Sequence, residues 1–228
     1  NNVSLISFGI RNISESEIDK SEQTILGLFD PEVNNFNLNM WSDSDGEDIK
    51  NILKRINKLK LARLSEDLLF QVLFTNSYPP KTNLTSTEFI KIKIDWLIQK
   101  RRFKDLEQLV ISNPEIGRET KAIIYLVNES LANGDIKSAC EKVNILDKSV
   151  ENNYLEKLKI YCLINDDRKD EAQLVLDLLQ EHGFKDKFFE TKINFLLGTT
   201  ESGGNKILDD NLLNFYLSHI TNDNFEYE

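Results

Sequence analysis

The chain has 228 residues, 40% hydrophobic and 29% charged, with only four prolines and nine glycines, a balance that excludes low complexity and fits a folded globular protein. A formal charge of −10 repels a phosphate backbone, and the one basic triplet, Lys100, Arg101 and Arg102, reads as a solvated helix end, so nucleic acid is excluded as a partner. No apolar run is long enough to span a bilayer, so no integral membrane segment is expected.

Residues 1–46 read as an irregular arm. Val3 to Ile10 is a short apolar run suited to an edge strand or an extended arm, and Ile13 to Lys20 offers no buried face. Thr24 to Phe29 is apolar and turns at Asp30 and Pro31; Met40 and Trp41 anchor an Asn-rich stretch. Asp43, Asp45, Glu47 and Asp48 superficially match the start of a calcium loop. The twelfth position of such a loop needs a bidentate acid and is Lys54 here, so acids capping the positive end of a helix explain the cluster better.

That helix is predicted over 47–60, with Ile49, Ile52, Leu53, Ile56 and Leu59 on one stripe. Ser65 is expected to cap a second helix, with Leu68, Leu69, Val72 and Leu73 inward and Pro79 and Pro80 beyond its end. Together, residues 47–80 form a hairpin placed to cap a helical array beginning near residue 81.

Residues 81–198 read as helix-pair repeats. Thr85, Ser86 or Thr87 caps a helix running to 99; its partner covers 103–112 and stops at Asn113 and Pro114. Segments 119–133 and 136–150 make a second pair. A third covers 152–165 and 168–182, with Gly183 as its stop, and 186–197 begins a fourth. Residues 199–228 hold a polar loop, a last helix over 209–220 burying Leu212, Leu213, Phe215, Tyr216 and Leu217, and an acidic tail.

Three units keep step at 33 residues. Leu106, Ala139 and Ala172 correspond, as do Ile94, Val127 and Ile160; Ile98, Leu131 and Ile164; and Val110, Val143 and Leu176. A period of this size indicates stacked supersecondary units, so the fold class is all-α, an antiparallel helix-pair solenoid with an irregular N-terminal arm.

The run Gly134, Asp135, Ile136, Lys137, Ser138, Ala139 resembles the hairpin turn of the tetratricopeptide repeat, in which glycine permits the turn and a small residue lets two helices approach. The chain departs from that family in spacing, 33 rather than 34 residues, and in having Arg101 and Asp167 at the turn glycine and Leu106 at the contact alanine. The resemblance covers about half the chain. It implies a concave groove lined by the first helix of each unit, and hence the candidate residues Lys91, Asp95, Gln99, Lys121, Asn128, Tyr154, Lys157, Tyr161, Asn165, Lys187, Glu190 and Asn194. Tyrosine and asparagine suit peptide contact, offering a rigid ring and paired donors and acceptors. Replacing Tyr161 and Asn165 by Ala is expected to weaken capture of a ligand and leave stability unchanged.

A fainter likeness joins Leu28 to Pro31, Met40 and Trp41, and Leu73 to Pro80. In that order these resemble a group of alphaproteobacterial envelope proteins with helical repeats and a secretion signal, which implies a periplasmic location. A chain opening Asn1, Asn2, Val3 is expected to be a processed or cut piece. Periplasmic or secreted placement is therefore favoured over cytoplasmic. Two cysteines on successive helices leave pairing open, with two buried reduced thiols preferred over a disulfide.

Chemistry finds no foothold. His182 and His219 lack metal-ligand neighbours at useful spacing, and no nucleophile elbow, phosphate loop or dinucleotide fingerprint is present. Gly203, Gly204, Asn205 and Lys206 read as a linker. The expectation is a non-catalytic module with no cofactor or metal, binding a peptide or partner protein in its groove. The alternatives are a structural or assembly subunit of an envelope complex, or an accessory helical domain of a larger cell-envelope enzyme.

Overall fold

The computed structural model describes residues 25–147 and 149–222; the apolar run at 3–10, residues 13–20 and the acidic tail lie outside them. Among the described residues the protein is all-α, with ten α-helices and two 3-10 turns and no named strand. The helices are α1 (Gly46–Ile56), α2 (Arg63–Phe74), α3 (Ser86–Gln99), α4 (Phe103–Ser112), α5 (Thr120–Ala132), α6 (Ile136–Val143), α7 (Asn153–Asn165), α8 (Lys169–Glu181), α9 (Lys187–Leu197) and α10 (Leu212–Ile220). Packing runs mostly between neighbours in sequence, from α3 against α4 through α7 against α8.

Local chemistry sets most of the boundaries. Thr85 and Glu88 close a reciprocal capping box at α3. Asp45, Asp135, Asn152, Asp186 and Asn211 each accept a backbone N–H at the start of α1, α6, α7, α9 and α10. Asp45 also accepts from the Asn83 side chain at 2.6 Å, so the acidic cluster begins a helix. Gly198, at φ 84°, ends α9.

Three turns share one backbone geometry. Arg101, Gly134 and Asp167 stand 33 residues apart and all take left-handed φ, at 53°, 72° and 58°. Their N–H groups bond to Ile98, Leu131 and Ile164, and the following N–H groups reach Leu97, Ser130 and Leu163. Such bond pairs satisfy the open carbonyls at a helix end. Only the middle turn uses glycine; the left-handed backbone costs the other two residues about 1 kcal/mol each. Leu106, Ala139 and Ala172 are each the fourth residue of α4, α6 and α8, and all are fully buried.

Several expectations need correction. Helix α6 ends at Val143, well short of residue 150. The chain leaves it to run beside the 3-10 turn Pro114–Arg118, where the Asp147 N–H bonds to the Gly117 carbonyl. Close passage of the Ile145 carbonyl there leaves no room for a side chain at position 117. Helix α1 stops at Ile56, and α2 starts at Arg63 after Ala62, without a side-chain cap from Ser65. Helix α2 turns Phe70, Leu73 and Phe74 inward, with Phe70 stacked on Trp96 at 5.7 Å, so Leu68 points outward. Ile52 and Leu59 are exposed as well, and Phe215 of α10 stays partly open.

The preference for reduced thiols is also overturned: Cys140 of α6 and Cys162 of α7 form a disulfide. The packing of α6 on α7 brings their Cα atoms to 5.6 Å, inside bridging range.

Candidate functional site

The candidate groove residues belong to α3, α5, α7 and α9, and many are tied to each other. Lys121 of α5 pairs with Asp95 of α3. Tyr154 of α7 donates its hydroxyl to Asn128 of α5 at 2.6 Å. Lys157 of α7 reaches Asp186, the N-cap of α9, at 3.1 Å. These are three polar rungs, one between each pair of successive first helices. Glu190 is used locally, accepting the Asp186 N–H. Lys91, Gln99, Asn165, Lys187 and Asn194 make no side-chain hydrogen bond or ion pair among the described residues.

The middle of this face is occupied by the chain itself. Helix α10 packs on α5 and α9 and lies against α7. It buries Leu213 and Leu217 completely. Tyr161 of α7 meets Tyr216 of α10 edge to face, ring centres 5.5 Å apart, with the two hydroxyls 3.3 Å apart. The backbone N–H of Leu213 sits beside the Tyr154 hydroxyl. Burial pushes the Tyr154 hydroxyl up to about 12, with that N–H opposing the shift, and burial raises Tyr161 further.

Tyr161 is only 5% exposed. The expectation that its replacement leaves stability unchanged is therefore withdrawn, because truncation would open a hole beneath α10.

Toward its other end the face stays open. A cavity of about 390 Å³ lies between α1 and α3, lined by Lys50, Leu53, Lys54, Ile92, Asp95 and Gln99 among others. Asp95 and Gln99 are thus candidate residues at an accessible concavity, although Asp95 already holds Lys121.

Two further residues are not among those the sequence singles out as candidates. Lys93 and Lys192 lie three periods apart, each four residues after a phenylalanine. Lys93 is fully buried, gives a 2.6 Å hydrogen bond to the Leu26 carbonyl and lies 4.6 Å from the Phe89 ring centre. Lys192 is 1% exposed, bonds the Gly204 carbonyl at 2.9 Å and lies 5.4 Å from the Phe188 ring centre. Neither has a carboxylate within 4 Å among the described residues. Burial alone pushes Lys93 down to about 7. The signal was present as a Phe-x-x-x-Lys spacing in α3 and again in α9.

Among the described residues no group of three or more His, Cys, Asp and Glu side chains is arranged to hold a metal ion, and no helix is long and apolar enough to cross a membrane. Comparison with protein-family models, curated proteins and solved structures finds no match for this chain.

Proposed function

We propose that the protein is a non-catalytic interaction module, a tetratricopeptide-like solenoid whose first helices form a face that accepts a helical segment of a partner. One observation carries this reading: a nine-residue helix, α10, already sits on that face, burying Leu213 and Leu217 and gripped by Tyr154 and Tyr161. A surface that seats one amphipathic helix has the apolar floor and the polar rim that helix-in-groove recognition uses. The open cavity beside Asp95 and Gln99 lies on α3, another of these first helices. The disulfide supports an oxidising compartment, in keeping with a periplasmic or secreted protein.

The test is exchange. Leu213→Asp with Leu217→Asp, made in the full chain, unseats α10. A fluorescent peptide spanning residues 207–222 is expected to bind that variant and not the wild type, read by anisotropy. A variant that keeps its helical circular dichroism yet binds no peptide refutes a helix-accepting face.

A second reading, a structural subunit of an envelope assembly, is supported by Ile52, Leu59, Leu64 and Leu68. All four are more than half exposed, on α1, α2 and the turn between them. Sedimentation of the full chain separates the two, since an assembly subunit associates with rising concentration and Leu64→Lys with Leu68→Lys prevents it.

A further inference from the structure

The segment after α9 folds back over its own helix. Gly198 ends the helix in left-handed conformation, and the Thr199 N–H bonds to the Asn194 carbonyl. The returning chain is pinned twice: the Gly204 carbonyl accepts from Lys192, and Gly203 lies so close to Thr221 that a Cβ would meet its carbonyl oxygen at 2.7 Å. Beneath it remains a cavity of about 370 Å³, lined by Lys187, Phe188, Thr191, Lys192, Gly204 and Lys206 with two neighbouring loop residues. That volume lies in the range of small-molecule sites, about 300–1,000 Å³.

Its charge is anomalous. The chain carries −10, yet three lysines and no acid line this cavity. None of the three forms an ion pair among the described residues. The Lys192 ammonium has three donors and spends one on Gly204. A buried cation with no counter-charge is expensive, and an anion entering from solvent would relieve the cost. Lys93 shows that holding a crossing carbonyl does not by itself demand more lysines: three periods before Lys187 the chain has Glu88. Phe188 and the lysine stems give the cavity an apolar side.

We infer that this cavity binds a small organic anion, its charged oxygens on the Lys187, Lys192 and Lys206 ammonium groups and its carbon body against Phe188. Carboxylate and phosphate ends share the chemistry that would be recognised here. The inference is independent of what occupies the face of α5 and α7.

Isothermal titration of the full chain at low ionic strength, with acetate, hexanoate, inorganic phosphate and hexyl phosphate as probes, tests it. One or both six-carbon probes are expected to bind with Kd below about 1 mM, at least about tenfold tighter than the matching short anion. Tighter binding of hexanoate assigns a carboxylate ligand, and tighter binding of hexyl phosphate a phosphate. Lys187→Gln and Lys206→Gln, both at exposed positions, should each weaken binding about five- to tenfold, and together abolish it. Binding unchanged by the double substitution, or no heat from any probe up to about 10 mM, overturns the inference.

Discussion

Leu217 offers the most direct test of how α10 is held. Its side chain is fully buried where α10 meets the first helices, so Leu217→Ala removes apolar contact and leaves a void that surrounding helices fill only in part. Buried leucine truncations cost about 2–5 kcal/mol; a terminal helix can relax into the gap, which places this one at about 3 kcal/mol. Urea denaturation followed by far-ultraviolet circular dichroism measures the loss. Spectrophotometric tyrosine titration tells whether α10 itself has lifted. In the wild type Tyr154 ionises near 12, because burial disfavours the phenolate, and Tyr161 later still. If the variant loosens α10, both should move down toward the ordinary value near 10. Linkage fixes the sign in the wild type: the raised pKa favours the protonated folded state. The contribution is therefore complete below about pH 10 and is lost as pH rises from 10 to the folded value, about 12 for Tyr154. A loss below about 1 kcal/mol with an unchanged tyrosine titration would refute the claim that α10 is seated on this face.

Four other outcomes are expected. Reducing the Cys140–Cys162 bond, or replacing both cysteines by Ala, opens a link across a sequence separation of 22 and should cost about 3 kcal/mol, a fall in Tm of about 6–12 °C by calorimetry. Gly134→Ala meets nothing within 4 Å, so its loss of about 1 kcal/mol in chemical denaturation should come from the left-handed backbone alone. Lys93 is held down to about 7, so between pH 7 and its unfolded value of 10.5 the unfolded chain binds the extra proton and stability climbs with pH. Lys93→Met should flatten that climb in unfolding curves taken from pH 7 to 9.5, and parallel wild-type and variant curves would contradict it. Ala139→Arg forces a long cation into a fully buried contact and should lower Tm by more than about 10 °C or prevent folding.

The boundaries of α3, α4, α5, α7, α8 and α9 were legible because their signals are local: Thr85 and Glu88 at one start, Asn152 and Asp186 at others, Pro114 and Gly183 beyond their ends. The end of α6 was not, because nothing at Val143 announces the pull of the distant Gly117 carbonyl on Asp147. Leu68 misled for a similar reason. It fits the apolar period of α2, but the Phe70 ring stacks on Trp96 and sets which side of the helix turns inward. The groove candidates fall on α3, α5, α7 and α9, and periodicity cannot tell a residue facing solvent from one facing a helix that returns from further along the chain. Asn128, Tyr154 and Tyr161 look the same in sequence whether they await a guest or hold α10. The disulfide depends on a distance between two helices, which no spacing in the sequence encodes.

The pair of buried lysines fixes two crossing segments of chain. At one end the Leu26 carbonyl is docked on Lys93, and at the other the Gly204 carbonyl is docked on Lys192. Displacing residues 203 and 204 would strand the Lys192 ammonium beside the Phe188 ring without its carbonyl partner. Each crossing stretch of chain thus hangs on one ammonium group, so a single side chain decides whether that backbone carbonyl has a partner in the interior.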